Sequence, residues 1–232
     1  MPPANAACVD TGLSLTGVSH IQCSGGSPTF TAVNAASKSG CGGGFTCSDT
    51  VIIGTGFAVV GFQASDTTPA VTLCGVSLFE VVNTGATNDT GMWAGTVPGC
   101  SSANDLSVTT NGGFGNIAYA VGLITKLSGS YSSGTPADHT CVGNYPGTQG
   151  APYPCTSSLT VNASGIAVGI GVAGSDFGSG VTACSPGSCD IKVTPASGGF
   201  ASGIWHWTTP GQTPNFTASN NDNAGMPAAS WH

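Results

Sequence analysis

The residues of this chain best suited to chemistry are its ten cysteines: Cys8, Cys23, Cys41, Cys47, Cys74, Cys100, Cys141, Cys155, Cys184 and Cys189. Structural zinc sites need tight cysteine pairs at matched spacing. Here the closest pair, Cys184-Ser-Pro-Gly-Ser-Cys189, sits at the wide end of that range, and Cys41 and Cys47 fall outside it. An even, dispersed set reads as disulfides, with no metal. Proximity suggests three bridges. Cys184–Cys189 would staple a Pro-Gly turn, Cys41–Cys47 would close a Gly-rich loop, and Cys141–Cys155 would clip the segment holding Tyr145 and Tyr153. Sequence does not pair Cys8, Cys23, Cys74 and Cys100. A bridge closing about 15 residues contributes roughly 3 kcal/mol in the chain-entropy model, and disulfides imply an oxidising environment.

Other chemistries find incomplete sets, so no catalytic residue, cofactor site or metal ligand is assigned. Glycoside hydrolysis needs two carboxyl groups flanking one bond. Glu80 is the one glutamate, in phase with Leu78 and Val82 and so expected to point inward, with Asp66 and Asp89 the nearest acids in sequence. It reads as a polar residue on a strand face or interface. A nucleophile elbow needs Gly-x-Ser-x-Gly between strand and helix, and Gly174-Ser-Asp-Phe-Gly178 lacks the spacing. Asp138-His139 reads as a polar loop pair, and His20, His206 and His232 stand alone. Asn220-Asn221-Asp222-Asn223 lacks the spaced acids of an EF-hand loop. The glycines around Cys41 lack the Lys-Ser/Thr of a phosphate loop. Sequons begin at Asn88, Asn162 and Asn215, as expected by chance in a chain rich in Ser, Thr and Asn.

Aromatic residues offer a binding surface. Trp93, Trp205, Trp207, Tyr145 and Tyr153 could form an oligomer interface or a carbohydrate-stacking platform, but the tryptophan pair reads first as core or interface, since large aromatics dominate both. In Ile204-Trp-His-Trp207 the two tryptophans share one strand face and His206 takes the other.

The elements that must position these residues follow from composition. The chain has 232 residues, 37 of them Gly and 14 Pro, which argues against long helices. Lys38, Lys126 and Lys192 are its only basic residues apart from histidine, too few for a nucleic-acid footprint. With 40% hydrophobic and 6% charged residues it should fold rather than stay disordered. The apolar pattern predicts strands near 16–23, 50–63, 69–83, 105–110, 114–128, 158–163, 165–173, 190–195, 199–208 and 214–218. Alternation is clearest in Ile166-Ala-Val-Gly-Ile-Gly-Val172 and Asn116–Ile124, where the Gly/Ala face is expected to be covered by another sheet or subunit. Segments 34–49, 84–104, 129–157 and 174–190 read as long loops.

Four stretches repeat the scheme strand, Gly turn, strand: Val51–Val60, Leu106–Val121, Leu159–Val168 and Ile191–Ile204. Each predicts a β-hairpin. Hairpins without crossover helices predict an all-β protein, an antiparallel β-sandwich of jelly-roll or Greek-key type with disulfide-stapled loops. With no sharp linker, residues 1–232 are expected to form a single domain.

The N-terminus shows neither a charged n-region nor an apolar h-region, so the expectation is a signal already removed or a product released by lysis. No apolar run is long enough for a membrane span. The segments Leu106–Val121, Leu159–Val172 and Phe200–Trp207, with the Gly/Ser/Thr/Ala bias and low charge, resemble tailed-bacteriophage virion surface proteins: capsid decoration proteins and head-fibre or tail-fibre jelly-roll domains. The resemblance implies a non-enzymatic structural subunit, extracellular on a virion surface. Its partners would be copies of itself, in a homo-oligomer such as a trimer, and a capsid or particle surface. The alternative is an extracellular carbohydrate-binding module or adhesin with a glycan as ligand.

Overall fold

The computed structural model describes residues 8–10, 21–23, 27–39, 46–64, 70–83, 89–101, 105–109, 116–127, 138–140, 152–154, 158–162, 165–175, 181–193, 199–218 and 223–232. Among these every ladder is antiparallel and no helix occurs. The all-β, antiparallel sandwich expectation is met.

The first half, after a short pair β1 (Cys8–Asp10) and β2 (Ile21–Cys23), runs through β3 (Thr29–Ser39), β4 (Thr46–Asp49), β5 (Gly56–Ala64), β6 (Ala70–Leu73), β7 (Val76–Ser77), β8 (Phe79–Asn83), β9 (Asp89–Val97), β10 (Leu106–Thr109) and β11 (Asn116–Thr125). Its outer sheet has the order β4-β10-β6-β7 and its inner sheet β3-β11-β5-β9-β8. The second half runs through β12 (Asp138–Thr140), β13 (Pro152–Pro154), β14 (Ile166–Ser175), β15 (Val181–Ser185), β16 (Ile191–Val193), β17 (Gly199–Trp207), β18 (Asn215–Ala218), β19 (Asn223–Gly225) and β20 (Ala228–Trp231). Its outer sheet is β13-β18-β15 and its inner sheet β12-β20-β14-β17-β16, with β19 also on β14.

The two halves share one topology. If the two-residue β7 is set aside, and β19 is taken with β20 as one interrupted strand, each inner sheet has the order 1-8-3-6-5 and each outer sheet 2-7-4. This is the double Greek key of a jelly roll, present twice. The recurring stretches noted in the sequence are fragments of this larger repeat.

Three apolar layers hold the four sheets. The first, between outer and inner sheets of the first half, contains Val71, Leu73, Leu106 and Val108 against Val60, Phe62, Trp93, Tyr119 and Val121. The second, inside the second half, packs Trp205 and Trp207 with Leu159, Phe216 and Met226. The third lies between the inner sheets. It joins Phe57, Val59, Met92, Ala118, Ala120 and Ile124 to Ile166, Val168, Ile170, Val172, Ile204 and Trp231. Both inner sheets are therefore covered on both faces.

The alternation along β14 shows how sequence sets this arrangement. Ile166, Val168, Ile170 and Val172 face the seam between halves, while Ala167 and Ala173 face the second core. The glycines between them make room for aromatic rings: a Cβ at Gly169 would lie 2.5 Å from the Trp205 ring, and one at Gly171 2.7 Å from Phe216. The Gly/Ala face is thus covered by another sheet, as expected.

Several expectations need correction. The segments read as loops contain β9, β12, β13, β15 and much of β3, the longest strand at 11 residues. The strand expected at 158–163 is a single bridge between Leu159 and Gln212, and 50–63 divides into the Ile53–Cys100 bridge and β5. Of the four expected hairpins, only Ile191–Ile204 pairs within itself, as β16 on β17. Leu106–Val121 joins β10 of the outer sheet to β11 of the inner sheet, and both strands place apolar side chains in the core between the two sheets.

Candidate functional site

The cysteines close as expected where they are described. Cys184–Cys189 is a disulfide, and Cys74 pairs with Cys100 across 26 residues, a pairing sequence left open. Cys47 is disulfide-bonded; Cys41, Cys141 and Cys155 lie outside the described residues. Cys8 stands opposite Cys23 in the β1–β2 register. No cysteine is free among the described residues. These bridges mark an oxidising environment.

The three tryptophans of the aromatic set are not at the surface; the pair reads first as core or interface, and the structure bears out core. Trp93, Trp205 and Trp207 are buried in the two sandwich cores. Phe62 stacks on Trp93 with centroids 4.5 Å apart, and Trp205 lies 6.4 Å from Trp207. The Trp205 indole donates to the Ser185 carbonyl at 3.1 Å. These rings fill the space left by Gly169 and Gly91, so they serve the core and offer no face to a sugar. Tyr153 lies on β13, and Tyr145 falls outside the described residues.

The acids and histidines are also placed. Glu80, expected to point inward, is exposed on the edge strand β8, where a register shift between Glu80 and Val82 breaks the expected phase. Asp66 lies outside the described residues, and Asp89 begins β9. Asp138 accepts a hydrogen bond from the Thr160 backbone N–H at 2.7 Å, a structural use. His206, which seemed isolated, has its Nδ1 2.7 Å from Asp190 Oδ2 and stacks on Phe30 of the other half at 4.9 Å. The β16–β17 hairpin brings Asp190 and His206 together, a proximity visible only once its register is known. His232 Nδ1 is 3.3 Å from Asn162 Nδ2; His20 and Asn220 to Asp222 lie outside the described residues. No cluster of metal-ligating side chains occurs among the described residues.

A part-buried polar cluster joins three strands of the first half. The Tyr119 hydroxyl donates to Asp49 Oδ2 at 2.8 Å and accepts from Asn34 Nδ2 at 3.2 Å. Asp49 Oδ1 also accepts the Thr50 N–H at 2.8 Å. Burial, then the hydrogen bond to Asp49 and its negative charge, push the Tyr119 phenol far above its ordinary range. The ring stays neutral and acts as a donor tying β11 to β4. Cys47, Ser48, Leu106, Val108 and Ile117 complete the small pocket around it.

No protein-family profile matches the chain, and no curated protein matches it. Among solved structures, a conserved protein of unknown function from Pseudomonas aeruginosa PAO1 matches 88% of this chain and 80% of its own, at 8% identity and a TM-score of 0.25.

Two large apolar side chains reach the surface among the described residues: Ile52, between β4 and β5, and Phe79, on a sheet edge. Phe79 on β8 is 56% exposed, while Phe57, Phe62, Tyr119, Phe216, Trp93, Trp205 and Trp231 are buried. β8 ends the inner sheet and, among the described residues, pairs with β9. The outer sheet of the first half carries hydroxyl rows instead of charges. Ser48, Ser107, Thr72 and Ser77 stand in register, with Thr46 beside Thr109. Sequence reasoning missed Phe79 because the residue sits in an apolar run, Leu78–Val82, that reads as core. No helix among the described residues is long and apolar enough to cross a membrane.

Proposed function

We propose that this protein is a structural subunit that acts by packing: a virion-surface protein of the decoration or fibre kind, which assembles with copies of itself and with a particle. The observation that carries this reading is Phe79, a large exposed aromatic on a sheet edge, while Phe57, Phe62, Trp93, Tyr119, Trp205, Phe216 and Trp231 are buried. An unpaired edge is a template for a further strand, and buried aromatic anchors dominate association energies. The uncharged hydroxyl face permits close approach without stripping ions of water. The three tryptophans of the carbohydrate alternative are buried inside the fold, so that reading would rest on its tyrosines.

The test is light scattering of the purified protein, together with co-sedimentation with particles from the producing culture. Wild type should form a defined oligomer and sediment with particles, and Phe79→Ser should weaken both while leaving the far-ultraviolet spectrum unchanged. A wild-type protein that stays monomeric at high concentration and never enters the particle fraction would defeat the proposal.

A further inference from the structure

We infer that the seam between the two sandwiches is a self-sufficient protein–protein interface, so that the chain is a fused pair of one fold, and that Lys126 is the site where a protease specific for basic residues divides it without separating the halves.

Three observations lead there. The first is the repeated topology. Each inner sheet has the same strand order and meets the other face to face, so that each half's partner is a second copy of its own fold.

The second is the chemistry of the seam, which is that of a protein interior rather than of two surfaces in casual contact. Aliphatic side chains from both sheets fill it, and Phe57 meets Trp231 edge-on at 5.4 Å. Missing side chains let the sheets come close. A Cβ on Gly61 would sit 2.6 Å from Ile170, and one on Gly122 3.0 Å from Ile204. At that approach even a serine spans the gap: Ser202 Oγ on β17 donates to the Tyr119 carbonyl on β11 at 2.8 Å. Large, apolar and well-packed faces are the kind that persist without a covalent link.

The third is the position of the lysines. Trypsin-like enzymes have three targets in this chain. Lys38 is held in the β3 ladder opposite Ile117, and Lys192 in the β16 ladder opposite Gly203. Lys126 is exposed, lies just beyond β11, and has φ at 61° in the left-handed region. Proteases cut first at exposed backbone outside the ladders, which can be drawn into their active site; ladder residues must open locally before they can be cut. The two described bridges with both ends known, Cys74–Cys100 and Cys184–Cys189, each lie on one side of Lys126.

Limited trypsin digestion of the native full chain tests this. The first cut is expected after Lys126, giving fragments of 126 and 232 − 126 = 106 residues. They should part on a non-reducing denaturing gel, yet elute together at the volume of the uncut protein on a native column. Lys126→Gln should abolish that cut. Ile204→Ser should leave the intact chain folded but let the nicked halves separate. A first cut at Lys38 or Lys192, halves that separate or precipitate once nicked, or halves still joined on the non-reducing gel would each overturn the inference.

Discussion

Gly61→Ala is the sharpest probe of the seam. The added methyl would lie 2.6, 2.7 and 2.9 Å from the Cγ2, Cδ1 and Cβ of Ile170, which belongs to the other half. Those distances are too short for carbon, and Ile170 is fully buried, so the sheets must shift. Overpacking of this kind costs about 1–3 kcal/mol. Ile170→Ala opens a hole and should cost about 2–5 kcal/mol. The double variant removes two of the three clashing atoms and lets the new methyl enter the hole. Its loss should therefore fall short of the sum of the single losses by about 1–3 kcal/mol, the coupling expected of residues in contact. Urea unfolding of the four proteins measures each value, and at this chain length about 1 kcal/mol moves Tm by roughly 2–4 °C. Strict additivity, within about 0.5 kcal/mol, would mean that β5 and β14 do not touch, and would refute the stacked arrangement.

Other outcomes follow from single groups. Because the folded protein keeps the Tyr119 proton more tightly than the unfolded chain, the stability this adds is whole below about pH 10, the ordinary tyrosine value, and is lost as pH rises beyond it. Tyr119→Phe should flatten that alkaline slope and cost about 1–3 kcal/mol at neutral pH; an unchanged slope in denaturation curves would count against the assignment. Opening Cys74–Cys100, which closes 26 residues, should cost about 3.5 kcal/mol. Opening Cys184–Cys189, across 5 residues, should cost about 2 kcal/mol. Serine pairs compared by urea titration check the order, and the shorter loop costing more would contradict it. Gln63 is 2% exposed, and its amide Nε2 and Oε1 make no hydrogen bond among the described residues. Gln63→Met should raise stability by about 1 kcal/mol or more, since an unsatisfied buried amide carries a desolvation penalty; a lower Tm would show a partner at that site.

How much of this was legible in the sequence depends on which faces of each strand are covered. β14 was readable because Ile166, Val168, Ile170 and Val172 line one face while Gly and Ala line the other, and β17 because Trp205 and Trp207 alternate with Ile204 and His206. β9, Asp89-Thr-Gly-Met-Trp-Ala-Gly-Thr-Val97, was not: Gly91 and Gly95 leave space for Trp93 and Leu78, so a buried strand reads as a turn-rich loop. β3 was missed for the opposite reason. It is an edge strand, half-buried along much of its length, and its alanines and serines carry no apolar signal. The doubling of the jelly roll escaped detection because packing against its twin constrains only size and polarity at the seam. Val59 in one half and Ile170 in the other do the same work without sequence identity. The disulfide between neighbours in sequence, Cys184–Cys189, was legible; Cys74–Cys100 depends on the β6 and β9 ends meeting, which only topology reveals. At the candidate site, the Trp205/Trp207 spacing correctly gave a shared face, but spacing does not say whether that face is wet or dry.

Hydrogen exchange along the chain under rising denaturant tests the stacked double sandwich most directly. The account predicts that the slowest amides of β5 and β11 in one half and of β14 and β17 in the other open together, with one shared free energy and one denaturant slope. Two separate opening steps, one for each half, would contradict it.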